Sequence, residues 1–284
     1  MKEIVLVVFI CSFISCNNSK KVDVVNLIGD LPKELKEVSG IAFSNNLMYC
    51  IADSGNKNEV IVLDDSNTII KKISLNTIEN IDWEDLTFDK KGNLYIGDFG
   101  NNDNTRRDLA IYKINQQNLN ENTVDVSYNV TFDYPEQTEF PLNKKNLKFD
   151  VEAFFEYNND FYLFTKNRSK DFDGSCNIYK VPNKEGFHHA QLVNTITTCS
   201  DYQDCAITSA ALSPDGLKYV LLSHSKIWIF ENYKAEDITN GKVREVKLNH
   251  FSQKEAICFK DVTTLFIADE KVKKMGGKLY KVKL

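Results

Sequence analysis

One pattern recurs five times in the chain, and it limits the possible folds more than any other feature. Each copy is a short apolar strand, a tight turn, and a second apolar strand ending in polar residues. The copies begin at Ser39, Glu84, Glu152, Thr208 and Glu255, and their second strands at Leu47, Asn93, Phe161, Lys218 and Thr264. The turns between them hold Asn45-Asn46, Lys91-Gly92-Asn93, Asn158-Asn159-Asp160, Ser213-Pro214-Asp215-Gly216 and Lys260-Asp261. Gly and Asn tolerate positive φ and Pro pre-sets a turn, so these are hairpin residues. A third apolar strand follows each pair, near 60–63, 109–112, 177–180, 226–230 and 278–282. Four copies add a fourth, at 69–75, 126–134, 191–197 and 243–248.

The fifth copy ends with the chain and lacks a fourth strand. The unused segment 22–28 can supply it, which pairs the two ends of the chain and closes a ring without exposed sheet edges. Repeat starts lie about 45 to 70 residues apart. The prediction is an all-β fold: a β-propeller of five four-stranded blades. The long interval between Glu84 and Glu152 leaves room for a sixth. No segment has a convincing helical period.

The first sixteen residues differ from the rest. Lys2 precedes an apolar run over 4–14, then Ser15 and Cys16. Such a run is too short for a bilayer, which needs roughly 20 residues, and has the length of a secretory leader. A small residue before a cysteine at its end reads as a lipidation site at Cys16. Residues 1–16 are thus a lipoprotein leader, 17–21 a polar tether, and 22–284 one propeller domain. The expected location is the cell envelope, at the outer membrane facing the periplasm. The bilayer is then a partner through Cys16, and a monomer is expected. The net charge of -5, with no long Lys/Arg run, argues against nucleic acid.

The chain has seven cysteines. Cys199 and Cys205 flank a short polar loop and fit a local disulfide in an oxidising compartment. Cys50 and Cys258 sit inside apolar strands and read as buried thiols. No Cys-x-x-Cys pair exists, which argues against a zinc or thioredoxin-like site.

Topology gives functional residues an address. In a blade, the start of the first strand and the end of the second share one rim. That rim collects Glu84, Glu152 and Glu255, with Asp82 and Asp150 two residues before the first two. Ser39 and Thr208 hold the matching places, and Glu37 precedes Ser39 by two. The ends of the second strands add Asp53, Asp98, Asn101, Asn102, Lys166, Arg168, His224 and Asp269, and Arg106 lies in a long loop of the same rim. Long loops on a rigid scaffold are where binding usually resides.

Three converging glutamates repel one another unless something compensates. A hard cation such as calcium, with Glu84, Glu152 and Glu255 as ligands, is one solution. Pairing with Lys166, Arg168, Arg106 or Arg107 is a second, and proton sharing a third. The remaining rim residues would bind a small polar ligand. The chain lacks a Gly-x-Ser-x-Gly elbow, which disfavours a serine hydrolase. Trp83 reads as packing between blades.

Several of these residues occur in order: Ser39-Gly40, Asp82-Trp83-Glu84-Asp85, Gly97-Asp98-Phe99-Gly100-Asn101-Asn102, Asp150-Val151-Glu152-Ala153 and Ser213-Pro214-Asp215-Gly216. The series resembles secreted bacterial propellers of unassigned activity, and more loosely the SdiA-regulated and phytase-like esterase propellers. The resemblance implies a propeller with a polar central mouth and, for some relatives, calcium. It brings no established reaction. Three functions are compatible with the sequence: an envelope module binding a cation or small polar ligand, a calcium-dependent hydrolase of phosphoester, lactone or ester substrates, and a platform for an envelope protein partner.

Overall fold

The computed structural model describes residues 25–284. The leader, Cys16 and the tether lie outside them, as do residues 22–24 of the expected closing strand. Five β-sheets account for nearly all regular structure. The first blade contains Val38–Ser44, Leu47–Ala52, Glu59–Leu63 and Ile69–Leu75. The second contains Trp83–Phe88, Leu94–Asp98, Ala110–Ile114 and Tyr128–Asp133. Asp150–Tyr157, Asp160–Lys166, Ser175–Pro182 and Gln191–Thr197 form the third. Ser209–Leu212, Lys218–Leu222, Lys226–Glu231 and Lys242–Lys247 form the fourth. Lys254–Asp261, Thr264–Asp269 and Lys278–Lys283 begin the fifth.

The strand Asn26–Asp30 completes the fifth blade, running antiparallel to Lys278–Lys283. The ring is therefore closed by pairing the two ends of the described chain, as the missing fourth strand of the last repeat required. The interval between Glu84 and Glu152 holds no sixth blade. It supplies the outer half of the second blade and a strap, Thr123–Val124, that adds parallel to the outer strand of the first. Gly186–His189 of the third blade adds likewise to the second. Both straps cover outer edges that would otherwise be free to pair with another chain.

Apolar side chains from facing blades fill the clefts between them. Between the third and fourth blades, Phe155, Phe164, Tyr219 and Phe230 pack together, with Tyr219 and Phe230 stacked at 4.4 Å. Trp83 is buried between the first two blades, and its indole N–H has no partner, so it packs rather than lines the mouth. Cys50, Cys176 and Cys258 are buried free thiols, and Cys199 and Cys205 are joined. No described helix is long and apolar enough to cross a membrane.

One irregularity is repeated and positions the site. In the first blade Val38 faces Ala52 and Gly40 faces Ile51, so Ser39 has no cross-strand partner. The same slip leaves out Glu84, Glu152 and Glu255 in the second, third and fifth blades. In the fourth, the Thr208 N–H bonds Leu222 O ahead of the Ser209–Leu222 pair. A β-bulge frees one residue from the ladder and re-aims its side chain. Here it acts at one rim, on the residues at which the five sequence repeats begin.

Candidate functional site

The bulged residues and the first residues past the second strands form a ring around the mouth. Registers align Asp53, Phe99, Lys166, His224 and Glu270 as equivalents. Ser39, Asp53, Glu84, Asn102, Glu152, Lys166, Arg168, Gln253, Glu255 and Glu270 line a cavity of about 160 Å³. Phe99 instead folds onto Gly97, where a Cβ would overlap its ring. That leaves room for Gly100, which packs against Glu84 Oε1 and Asp82 Oδ2.

Two of the expected compensations can be traced in the ring, ion pairing on one part and carboxyls that hold protons more tightly on another. Internal pairing holds the side of the third and fourth blades. Lys166 Nζ lies 3.0 Å from Glu152 Oε2 and 3.7 Å from Glu255 Oε2. Arg168 pairs with Asp150 through Nε, at 2.5 Å, and with Glu152 through Nη2. It also donates through Nη1 to Tyr202 Oη at 3.0 Å. His224 Nε2 meets Glu255 Oε1 at 3.1 Å. Burial alone would raise the Glu152 carboxyl, but Lys166 and Arg168 outweigh it and hold Glu152 below its ordinary value. Burial and the Glu152 charge push Asp150 up to about 7 despite Arg168.

The next part of the ring favours proton retention. Asp53 and Asp82 offer carboxylate oxygens within 4.8 Å of each other, and close carboxylates disfavour the doubly charged state. Burial and then the Asp53 charge push Asp82 up to about 6. Across the cavity, burial followed by the charges of Glu255 and Asp53 pushes Glu270 up to about 8.

Glu84 has no ion pair. It is 8% exposed, and no Lys or Arg nitrogen lies within ion-pair distance among the described residues. Burial, then Glu152, Asp150, Asp53 and Asp82, push its carboxyl well above the ordinary value. Its oxygens join two triads that could hold a cation, Asp53–Asp82–Glu84 and Glu84–Asp150–Glu152. In the second, Arg168 already pairs with Asp150 and Glu152. Ser39 Oγ on the cavity wall is buried without any hydrogen-bond partner.

Not every expected site residue lines the cavity. Asp98 is buried behind it, bonded by the Asp82 N–H at 3.1 Å and paired with Arg106 at 2.9 Å. Asn101 donates its backbone N–H to Asp150 Oδ1 at 2.6 Å and accepts the Arg106 N–H. Asp269 accepts from the Lys278 N–H and the Tyr280 hydroxyl. His224 reaches the cavity only through Glu255. These residues brace the wall. Glu255 belongs to neither triad and is held by Lys166 and His224.

Of the segment 269–271 at the end of the last second strand, Glu270 lines the cavity, whereas Asp269 points back into the sheet. Three contributors escaped the sequence reading of the site. Asn80 fixes the Asp53 backbone by donating to Ala52 O and Asp53 O. Gln253 accepts the Glu270 N–H. Tyr202 reaches Arg168 from the loop that joins the third and fourth blades.

No family model matches the chain, and no curated protein matches it. Solved structures with similar backbones include hydrazine synthase of Kuenenia stuttgartiensis. It is 10% identical over 87% of this chain and 71% of that one, with a TM-score of 0.47. A chain of a nidogen–laminin complex is 8% identical over 82% and 72%, with a TM-score of 0.45. Likenesses this distant carry no functional argument.

Proposed function

We propose that the mouth binds one hard divalent cation, with calcium the best fit, on the side formed by Asp53, Asp82 and Glu84. The observation that carries this reading is Glu84: a buried carboxyl group, surrounded by four others, with no cationic partner among the described residues. A cation would remove the repulsion and let the Asp53–Asp82 pair release its proton. Ser39 Oγ and the Asn102 side chain add neutral oxygens to the same cavity. The lining offers no sulfur or imidazole, so the donor set is oxygen only, which suits calcium rather than zinc or copper. The irregular arrangement also favours calcium over magnesium, which demands near-ideal octahedral geometry.

The expected setting is the cell envelope, reached through the leader and Cys16. The Cys199–Cys205 disulfide is in keeping with that oxidising compartment. A hydrolase built on the same cation has one observation in its favour: Lys166 and Arg168 line the cavity beside the carboxylates. An anionic substrate would then bridge the cation and these side chains.

Calorimetric titration of calcium into the metal-stripped mature domain tests the proposal. One ion per chain is expected, with proton release that rises as the buffer is made more acidic over pH 6 to 8. No heat, and no change in thermal stability with calcium, would rule the reading out. A screen of phosphoesters and lactones with the calcium-loaded protein tests the hydrolase alternative.

A further inference from the structure

We infer that the Cys199–Cys205 disulfide is a thiol-exchange site, and that opening it frees Arg168 from its fixed place in the mouth. The two sulfurs are not equivalent. Cys199 is half-buried, whereas Cys205 is buried and lies 3.1 Å from Lys226 Nζ. Lys226 is also 3.7 Å from Cys199 Sγ, and its nearest carboxylate, on Glu245, is farther off at 3.9 Å. The ammonium therefore serves the sulfurs first. A cation beside a sulfur stabilises the thiolate and makes that sulfur the better leaving group.

The exchange follows from this asymmetry. A thiolate of an external dithiol attacks Cys199 Sγ. The Cys199–Cys205 bond breaks, and its electron pair leaves on Cys205 as a thiolate held by Lys226. The second thiol of the reductant then attacks its own sulfur in the mixed disulfide. Cys199 is released as a thiolate, and the reductant departs as a disulfide. Two electrons pass from the dithiol to the protein, and both cysteines take up protons according to the pH.

What the crosslink holds is part of the mouth. The loop it closes contains Tyr202, whose hydroxyl accepts from Arg168 Nη1 at 3.0 Å. Phe172 packs edge-on against the Tyr202 ring at 5.3 Å. The same loop docks on the fourth blade beside His224: Ser223 Oγ donates to Asp204 O at 2.6 Å and Ser225 Oγ to Asp204 Oδ1 at 2.8 Å. Gly174 closes the loop from the third blade, where a Cβ would collide with the Cys199 carbonyl. The loop is thus a clamp between two blades, and Tyr202 is a positioning residue for Arg168. When the crosslink opens, Arg168 loses an acceptor and its grip on Asp150 and Glu152 weakens. Regulation of cation affinity rests on the proposed function: a loosened guanidinium repels the ion less.

The test separates the two claims. Oxidised mature protein is treated with dithiothreitol at pH 7.5, and free thiols are counted by maleimide mass shift. The native bond should open about tenfold faster than in Lys226→Met, and Lys226→Arg should restore the rate. Equal rates in native and Lys226→Met protein would overturn the exchange site. The Arg168 side-chain Nε–H signal is followed by NMR in the same samples. It should lose exchange protection on reduction, and Tyr202→Phe should cause the same loss without reduction. An unchanged signal would overturn the clamp. Neither readout needs a metal, so both stand apart from the cation proposal. Calcium should then bind about fivefold more tightly to the reduced form, and equal affinities in the two forms would refute the regulation.

Discussion

Glu84→Gln is the sharpest perturbation of the mouth, because it keeps the shape and removes one charge. The ligand atoms of each triad lie within 4.8 Å of one another. At an effective dielectric of about 20, two unit charges at that distance repel by roughly 3 kcal/mol. Proton retention and Arg168 already relieve part of this, so the substitution should stabilise the cation-free protein by about 1–2 kcal/mol. Either form of relief has the same sign. An acid whose folded pKa is raised penalises the folded state at every pH above its unfolded value, and Gln carries no such penalty. The described chain runs from Val25 to Leu284. A domain of that size loses about 0.55 kcal/mol/K of entropy on folding. The cation-free variant should therefore melt about 2–4 °C above the native protein. Calcium at a hundredfold excess over Kd should stabilise the native protein by about 2.7 kcal/mol, or about 5 °C, and the variant far less. The order of melting temperatures should thus reverse between chelator and calcium. Scanning calorimetry at pH 7.5 in both conditions reads this directly. If the variant melts lower in chelator, Glu84 makes a structural bond that the argument leaves out. If calcium raises both proteins equally, the ion sits elsewhere. Either result refutes the reasoning.

Three further outcomes are expected. Asp82, Asp150 and Glu270, pushed up to about 6, 7 and 8, keep protons in the fold that the unfolded chain has released. Stability in chelator should therefore fall as pH rises from about 4 through 8, and a urea midpoint higher at pH 8.5 than at pH 5 would contradict this. Lys166→Met leaves Glu152 and Glu255 without their ammonium and should cost about 3 kcal/mol in chelator, with part recovered by calcium. A loss below about 1 kcal/mol in urea unfolding would show that the pair is not a buried ion pair of consequence. Gly100→Ala places a methyl against Glu84 Oε1 and Asp82 Oδ2 and should abolish calcium uptake while leaving far-UV circular dichroism unchanged. Calcium affinity within about twofold of native in calorimetry would move the ion away from Gly100.

Five strand pairs were legible because hairpin turns and period-2 apolar runs are local signals. The missing fourth strand of the last repeat also pointed to closure by the N-terminal segment, since an open ring would expose two edges. The long interval between Glu84 and Glu152 was harder. Its extra residues form a strap and outer strands, and Thr123–Val124 pairs with a blade 49 residues earlier, to Ser74 and Leu75. Local patterning does not encode such a partner. The site was legible in its address and less so in its side chains. Bulges cannot be seen in a strand pattern, yet they aim Ser39, Glu84, Glu152 and Glu255 at the axis. After the second strand, simple alternation does not say which of Asp269 and Glu270 faces the mouth. The register does, because Asp269 pairs with Lys254 and leaves Glu270 as the first free residue.

The aligned ring also decides where a cation would sit. Its ten positions, blade by blade, are Ser39 and Asp53, Glu84 and Phe99, Glu152 and Lys166, Thr208 and His224, Glu255 and Glu270. The one Lys or Arg among these positions is Lys166 of the third blade, and with Arg168 beside it Lys166 neutralises the carboxylates nearest them. The uncompensated carboxylates belong to the fifth, first and second blades. An ion on the axis would face the Lys166 ammonium, which Glu152 and Glu255 keep charged by raising its pKa against the pull of burial. Repulsion in so buried a site is weakly screened, so the axial position is the poorer one. An ion displaced toward Asp53, Asp82 and Glu84 avoids Lys166 and meets the orphaned Ser39 hydroxyl. The asymmetry that breaks the fivefold repeat is thus the feature that would turn a ring of equivalent positions into a single off-axis site for the proposed ion.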